Sequence, residues 1–101
     1  MSAKLFAVYI LTTRNNTVLY TGVTSDLPAR VWQHRSGAVK SSFTSRYSVT
    51  KLVYYEVTPN IAAAIAREKQ IKSWKRSRKV ELIENTNPDW HDLADDLNNL
   101  S

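Results

Sequence analysis

Apolar positions along the chain gather into three short runs and two longer patterns of helical period. Residues 5–11 read as a strand, with Phe6, Ala7, Val8, Tyr9 and Ile10 inside it, and residues 17–23 read as a second. Arg14-Asn15-Asn16 between them is a turn signal, so the pair is predicted to form an antiparallel hairpin. Thr24-Ser25-Asp26 offers helix N-caps and Pro28 suits a first helical turn. This helix is predicted to reach Arg35 and to stop at Gly37. Leu27, Val31 and His34 lie along one face, with Arg30 beside them. A Ser/Thr-rich loop covers residues 37–50, and residues 52–57 read as a third strand. Thr58-Pro59-Asn60 opens the longest helix, over residues 60–75, where Ala62, Ala63, Ala64 and Ala66 favour helix. A further helical piece covers residues 77–84. Asn85-Thr86-Asn87-Pro88 breaks the chain, and residues 90–100 read as a short acidic helix. The order β-β-α-β-α-α predicts a small α/β (α+β) sandwich, a three-stranded sheet packed by helices. The pattern leaves the strand order open.

Composition narrows the class. The length of 101 residues fits one domain of ordinary size, and 43% hydrophobic residues is normal for a globular chain. The chain has no Cys, which excludes a disulfide scaffold, a thiolate metal site and a Cys nucleophile. The seven-residue apolar run at 5–11 is far short of the roughly twenty needed to span a membrane. No small-residue cleavage site follows it, so no signal peptide is expected. These features predict a cytoplasmic protein. Charge is unevenly spread. Residues 1–80 hold all 14 Lys and Arg against three acids, a net +11, whereas residues 81–101 hold six acids and no Lys or Arg, a net −6. The chain therefore divides into a basic body, residues 1–85, and an acidic tail, residues 86–101. A basic body points to a polyanionic partner, most often nucleic acid. No basic amphipathic helix with a large apolar face stands out, so no membrane partner is expected.

Five polar side chains stand at informative positions. On a wheel of about 100° per residue, Ile61, Ala64, Ile65 and Ile71 share one apolar arc of the long helix, and Glu68 falls inside it. An unpaired buried carboxylate is costly. Glu68 therefore either forms a structural ion pair, with Lys72 one turn away, or is a lone carboxylate ligand for a hard cation such as Mg²⁺. Arg30 and His34 are spaced i, i+4 and lie on one side of the first helix. Arg can hold a phosphate through two hydrogen bonds, and His can move a proton near neutral pH; the ordinary alternative is a surface Arg and a half-buried His. Tyr9 and Tyr20 sit on the two hairpin strands, where Tyr is also an ordinary packing residue. Gly22 inside a strand signals a bulge or a close backbone approach.

Taken together, these residues resemble the GIY-YIG nuclease family, in particular its small stand-alone bacterial type. The first half-motif reads Val8-Tyr9-Ile10 and the second Tyr20-Thr21-Gly22. Arg30 and His34 follow on the first helix and Glu68 on the long one. The runs Leu19-Tyr20-Thr21-Gly22-Val23-Thr24-Ser25-Asp26-Leu27 and Arg67-Glu68-Lys69-Gln70-Ile71-Lys72-Ser73-Trp74 carry the likeness furthest, and it covers roughly residues 5–83. Val8 replaces the Gly of the first motif and Thr21 the Ile of the second. Many members have a functional Asn late in the domain, for which Asn85 and Asn87 are candidates.

The resemblance implies a three-stranded antiparallel sheet with helices and metal-dependent hydrolysis of a DNA phosphodiester in repair or recombination, in a nucleoid-associated protein. It implies that Glu68 binds Mg²⁺ or Mn²⁺, that Arg30 stabilises the charged phosphate, and that Tyr9 activates or positions the attacking water with Tyr20 or His34. His34 is the better base by its intrinsic pKa, Tyr9 the base if Arg30 and metal favour its phenolate. Gly22 would allow close approach. Lys40, Arg46, Lys69, Lys72, Lys75 and Arg76 would hold flanking phosphates. Tyr47 and Trp74 are candidates to stack on bases or to pack in the core. RNA is an alternative substrate, and a protein partner or homodimer an alternative source of specificity. The competing functional class is a nucleic-acid-binding module with the nuclease fold and little or no catalysis. The acidic tail is either a solvated helix or a segment lying over the basic surface in competition with DNA.

Overall fold

The computed structural model describes residues 4–36 and 48–100. Its strands are β1 (Phe6–Thr12), β2 (Leu19–Thr24) and β3 (Lys51–Thr58), and its helices are α1 (Leu27–Ser36), α2 (Ile61–Ser73) and α3 (Arg76–Thr86); a 3₁₀ helix (Leu93–Leu100) ends the chain. The element order follows the expectation, and boundaries move by one to three residues. At the end of the long helix Trp74 is already extended and separates α2 from α3. The segment expected as an α-helix over 90–100 is a 3₁₀ helix that begins at Leu93.

The sheet is antiparallel throughout, in the order β2-β1-β3. This order explains the apolar run of the first strand. β1 is central and covered on both faces, so Ala7, Val8, Tyr9, Ile10 and Leu11 are all buried; a strand covered on both sides loses the polar alternation of a half-exposed one. Ala7, Tyr9 and Leu11 pack with Leu27 and Val31 of α1, Leu52 of β3 and Leu97 of the 3₁₀ helix. Val8 and Ile10 pack on the other face with Ala64 and Ile71 of α2 and Ile83 of α3. A register shift between Ile10 and Leu11 lets the pairing pass from Tyr54 to Leu52. The extra residue at this bulge, Val53, therefore joins Tyr54 on the α2 face.

Local chemistry sets the ends of these elements. The Thr13 hydroxyl accepts from the amides of Thr17 (3.0 Å) and Val18 (3.3 Å) and so organises the hairpin turn, where Asn16 takes φ 62°. Asp26 caps α1 by accepting from the Ala29 amide at 3.2 Å. Asn60 caps α2 by accepting from the Ala63 amide at 3.0 Å.

The acidic C-terminal segment is built into the fold. Leu97 is 5% exposed and sits in the α1-side core. The buried Asn87 amide donates to the carbonyls of Val53 (3.1 Å) and His91 (2.9 Å) and accepts from the His91 amide (3.0 Å). Asp92 accepts from the amides of Leu52 (3.2 Å) and Ala94 (3.1 Å) through Oδ1 and from the Arg35 guanidinium through Oδ2. This anchored segment differs from the solvated helix expected of an all-acidic tail. Truncation after Thr86 is therefore expected to destabilise the domain by about 3 kcal/mol or more, since it removes a buried Leu and a buried, fully hydrogen-bonded amide. Chemical denaturation of the truncated chain checks this; an unchanged midpoint would refute it.

Candidate active site

The site begins with a missing side chain. Tyr9 of β1 is paired directly with Gly22 of β2, and the Tyr9 ring lies across that glycine. A Cβ added at residue 22 would come within 2.4 Å of Tyr9 Oη and 2.5 Å of Cζ. Gly22 is thus a close-approach residue, and its φ is unremarkable. β2 is an edge strand, so the ring crossing Gly22 carries the phenol toward the edge of the sheet. α1 flanks this edge on one face of the sheet and α2 on the other.

The remaining candidates gather there from three further elements. The Tyr20 ring lies 6.4 Å from that of Tyr9, and the His34 ring lies 6.3 Å from Tyr9 and 5.5 Å from Tyr20, between centroids. The i, i+4 spacing of Arg30 and His34 turns both side chains inward from α1. His34 is 8% exposed, and Arg30 is half-buried. Glu68 arrives from α2 with its side chain 15% exposed and its carboxylate 3.2 Å from Lys72 Nζ. Glu68 has the lysine partner expected of a structural ion pair, and it stands close enough to Tyr9 to act on the phenol electrostatically.

The electrostatics separate the two candidate bases. Burial is the main cause that pushes the Tyr9 phenol well above its ordinary value; the Tyr20 and Glu68 charges add to this, and Arg30 opposes it. Burial, and then the Arg30 charge, hold His34 below the ordinary imidazole value. At neutral pH the pair is therefore a neutral phenol and a neutral imidazole. Neither His34 ring nitrogen has a hydrogen-bond partner among the described residues, and neither does the Thr21 hydroxyl. Leaving buried polar atoms unpaired costs about 1–3 kcal/mol each.

The donor set fits a hard divalent cation. No group of three or more His, Cys, Asp or Glu able to hold a metal occurs among the described residues. Mg²⁺ and Mn²⁺ suit one carboxylate completed by waters and phosphate oxygens, and Glu68 is a carboxylate of that kind.

The other sequence candidates fall into distinct settings. Lys69 and Lys75 are exposed, and Lys72 is the Glu68 partner. Arg76 donates to the carbonyls of Thr17 (2.9 Å) and Asn16 (2.8 Å) and clamps the hairpin turn to α3. Lys40, Arg46 and Tyr47 lie outside the described residues. Trp74 has the guanidinium of Arg78 4.3 Å and that of Arg67 5.2 Å from its ring centroid; these cation–π contacts make it a packing residue rather than an open base platform. Asn87 spends its amide on backbone beside β3, on the far side of the sheet from β2, and Asn85 is exposed on α3. The buried arc of α2 is also narrower than its wheel predicts. Ala64 and Ile71 are buried, but Ile61 and Ile65 are 54% and 39% exposed. These two residues are what the sequence reading missed, since an apolar stripe by itself does not tell a core face from a binding face.

A hairpin-led three-stranded sheet brings two tyrosines, an arginine, a histidine and a glutamate to one edge. The GIY-YIG catalytic domain model matches residues 5–81, and the chain belongs to that family. Its relatives carry the name UPF0213 protein. One from Syntrophus aciditrophicus is 37% identical over 75% of this chain and 86% of its own length. One from Haloquadratum walsbyi is 36% identical over 76% of this chain and 84% of its own, and one from Clostridium perfringens 38% identical over 75% and 80%. The solution NMR structure of a UPF0213 protein from Bacillus halodurans has the same fold, with a TM-score of 0.56 and 26% identity over 87% of this chain and 92% of that one. Among the described residues no helix is long and apolar enough to cross a membrane.

Proposed function

We propose that this chain is a metal-dependent endonuclease that hydrolyses DNA phosphodiester bonds in repair or recombination. The observation that carries the reading is the convergence of Tyr9, Tyr20, Arg30, His34 and Glu68 from four elements at the edge of β2. A packing role for these residues does not call for a carboxylate acting on the Tyr9 phenol, nor for a buried histidine whose ring nitrogens have no hydrogen-bond partner among the described residues.

In this reading Glu68 holds Mg²⁺ or Mn²⁺, which when bound supplies Lewis-acid stabilisation of the leaving 3′ oxygen. Arg30 stabilises the charge that builds on the phosphate oxygens. Water attacks phosphorus, the P–O3′ bond breaks, and the water proton passes to the neutral His34 imidazole. Tyr9, a neutral phenol in the metal-free chain, orients the water by hydrogen bonding, with Tyr20 beside it. Gly22 keeps the path of the Tyr9 ring open. Lys69, Lys72 and Lys75 hold flanking phosphates, so binding weakens with salt. Arg76 is left to the hairpin turn.

The test is cleavage of end-labelled plain, nicked, flap and branched DNA, and of RNA, with Mg²⁺ or Mn²⁺. Metal-dependent cutting supports the reading and identifies the preferred substrate. Salt-sensitive binding with no cutting of any substrate overturns it in favour of a binding module. A pH profile tests the base. His34 must be neutral to accept a proton, and its pKa lies below the ordinary ~6.5. The rate is therefore expected to hold through neutral pH and to fall on an acid limb below about 6.5, a limb that His34→Gln removes along with most of the activity. Stability follows the same sign, because the unfolded chain binds the His34 proton more readily, so stability is lost as pH falls through that range. An acid limb that survives in His34→Gln would exclude His34 as its source.

A further inference from the structure

An apolar groove opens beside the catalytic cluster, where β1 begins and β2 ends. Phe6 and Val23 of the sheet and Ile61 and Ile65 of α2 line it, with Thr24 at the end of β2 and Ser25 just beyond it as polar members and Lys4 and Arg30 as cationic ones. Ile61 and Ile65 belong to the few large apolar side chains that the described residues leave exposed, and both stand on the helix stripe that continues to Glu68. Arg30 belongs to the groove and to the cluster alike, since its charge acts on both Tyr9 and His34. The groove is therefore continuous with the place where the phosphate would sit.

We propose that this groove is a subsite for one unpaired nucleobase of the nucleic-acid strand, the base adjoining the phosphate held by Arg30. This deepens the nuclease reading and rests on it. The charge pattern selects the occupant. Apolar side chains together with two cations match a nucleotide, whose flat apolar face adjoins charged phosphates. A hydrocarbon or an apolar peptide would leave Lys4 and Arg30 without counter-charge. The base must be unpaired. In a duplex both faces of a base are stacked and its pairing edge is occupied, so only an unstacked base can lay a face on Phe6, Val23, Ile61 and Ile65. The preferred substrate is then a strand with an unpaired nucleotide at the cut, such as a flap, a gap or a single strand, rather than continuous duplex.

The experiment compares the wild type with Ile61→Ser/Ile65→Ser, both positions exposed enough for the fold to survive, as a thermal melt would verify. Binding is read without metal at low salt, on a fluorescent single strand carrying one 2-aminopurine and on the same sequence as blunt duplex. The wild type should bind the single strand more tightly and change the 2-aminopurine emission. The double variant should lose about tenfold on the single strand, lose the emission change, and keep its duplex affinity. With Mg²⁺ or Mn²⁺, an abasic position beside the cut should slow the wild type about tenfold and leave the variant unaffected. Equal binding of both strands by the wild type, or an emission change that survives in the variant, overturns the proposal. So does a variant that changes oligomeric state in sedimentation but not affinity, which would make the groove an interface between copies of this chain. Base-dependent binding without cleavage would retain the subsite and reject the nuclease; cleavage with base-independent binding would do the reverse.

Discussion

Glu68→Gln is expected to lower cleavage by roughly a thousandfold or more, on the scale of losing one central electrostatic element of a transition state. The same change should leave metal-free DNA binding intact or slightly tighter, because it removes a negative charge beside a polyanion. Glutamine keeps the length of the side chain and an oxygen that can accept from Lys72. Lys72 is about half exposed, and an exposed i, i+4 ion pair contributes only about 0.3–0.5 kcal/mol, so the melting temperature should hardly move. Activity, binding and stability thus separate in one variant. Cleavage within tenfold of wild type would show that Glu68 is a structural partner of Lys72 and that the metal is held elsewhere.

Gly22→Ala is expected to damage both fold and function through one methyl group. Its Cβ would fall 2.4–3.0 Å from the outer atoms of the Tyr9 ring. Tyr9 is 1% exposed, so its ring can yield only by displacing packed neighbours. Overpacking of this kind costs roughly 1–3 kcal/mol, or a fall of about 4–8 °C in Tm per kcal/mol for a domain of this size. Because the clash is with Tyr9 itself, any relaxation moves the phenol away from Arg30 and Glu68, and cleavage should fall well beyond the loss of folded protein. A double-mutant cycle with Tyr9→Leu isolates the contact, since the penalty of Gly22→Ala should shrink once the ring is gone. Additive effects would mean that the glycine serves something other than the passage of Tyr9.

Of the five polar positions that drew attention in the sequence, each was legible for a local reason. Arg30 and His34 are one helical turn apart. Glu68 interrupts an apolar stripe. Tyr9, Tyr20 and Gly22 sit in short strands on either side of a turn signal. Their fit to the family's order of residues was legible too, because that order is a property of the chain. The Glu68–Lys72 pair was legible for the same reason as the helical turn. Misreadings arose where a residue's meaning depends on a distant element. Ile61 and Ile65 carry the period of a core face, but α2 leans on β1 and β2 in a way that buries only Ala64 and Ile71. Asn87 looked available to a site until its amide was found bound to Val53, 34 positions earlier. The acidic tail reads as a solvated segment by composition, and only the docking of Asp92 on Arg35 and of Leu97 under α1 makes it part of the core.

By itself the sequence determined the elements, their order, the family and the list of chemically able side chains. All of these follow from short-range propensity, capping and spacing along one chain. Tertiary structure alone decided that β1 is the central strand, that Tyr9 pairs with Gly22 and reaches the sheet edge across it, and that burial keeps Tyr9 and His34 neutral. It also decided that an apolar groove adjoins Arg30. Strand order, cross-strand pairing and desolvation depend on contacts between residues far apart in sequence, and no local pattern encodes which distant partner the packing of the whole domain will select.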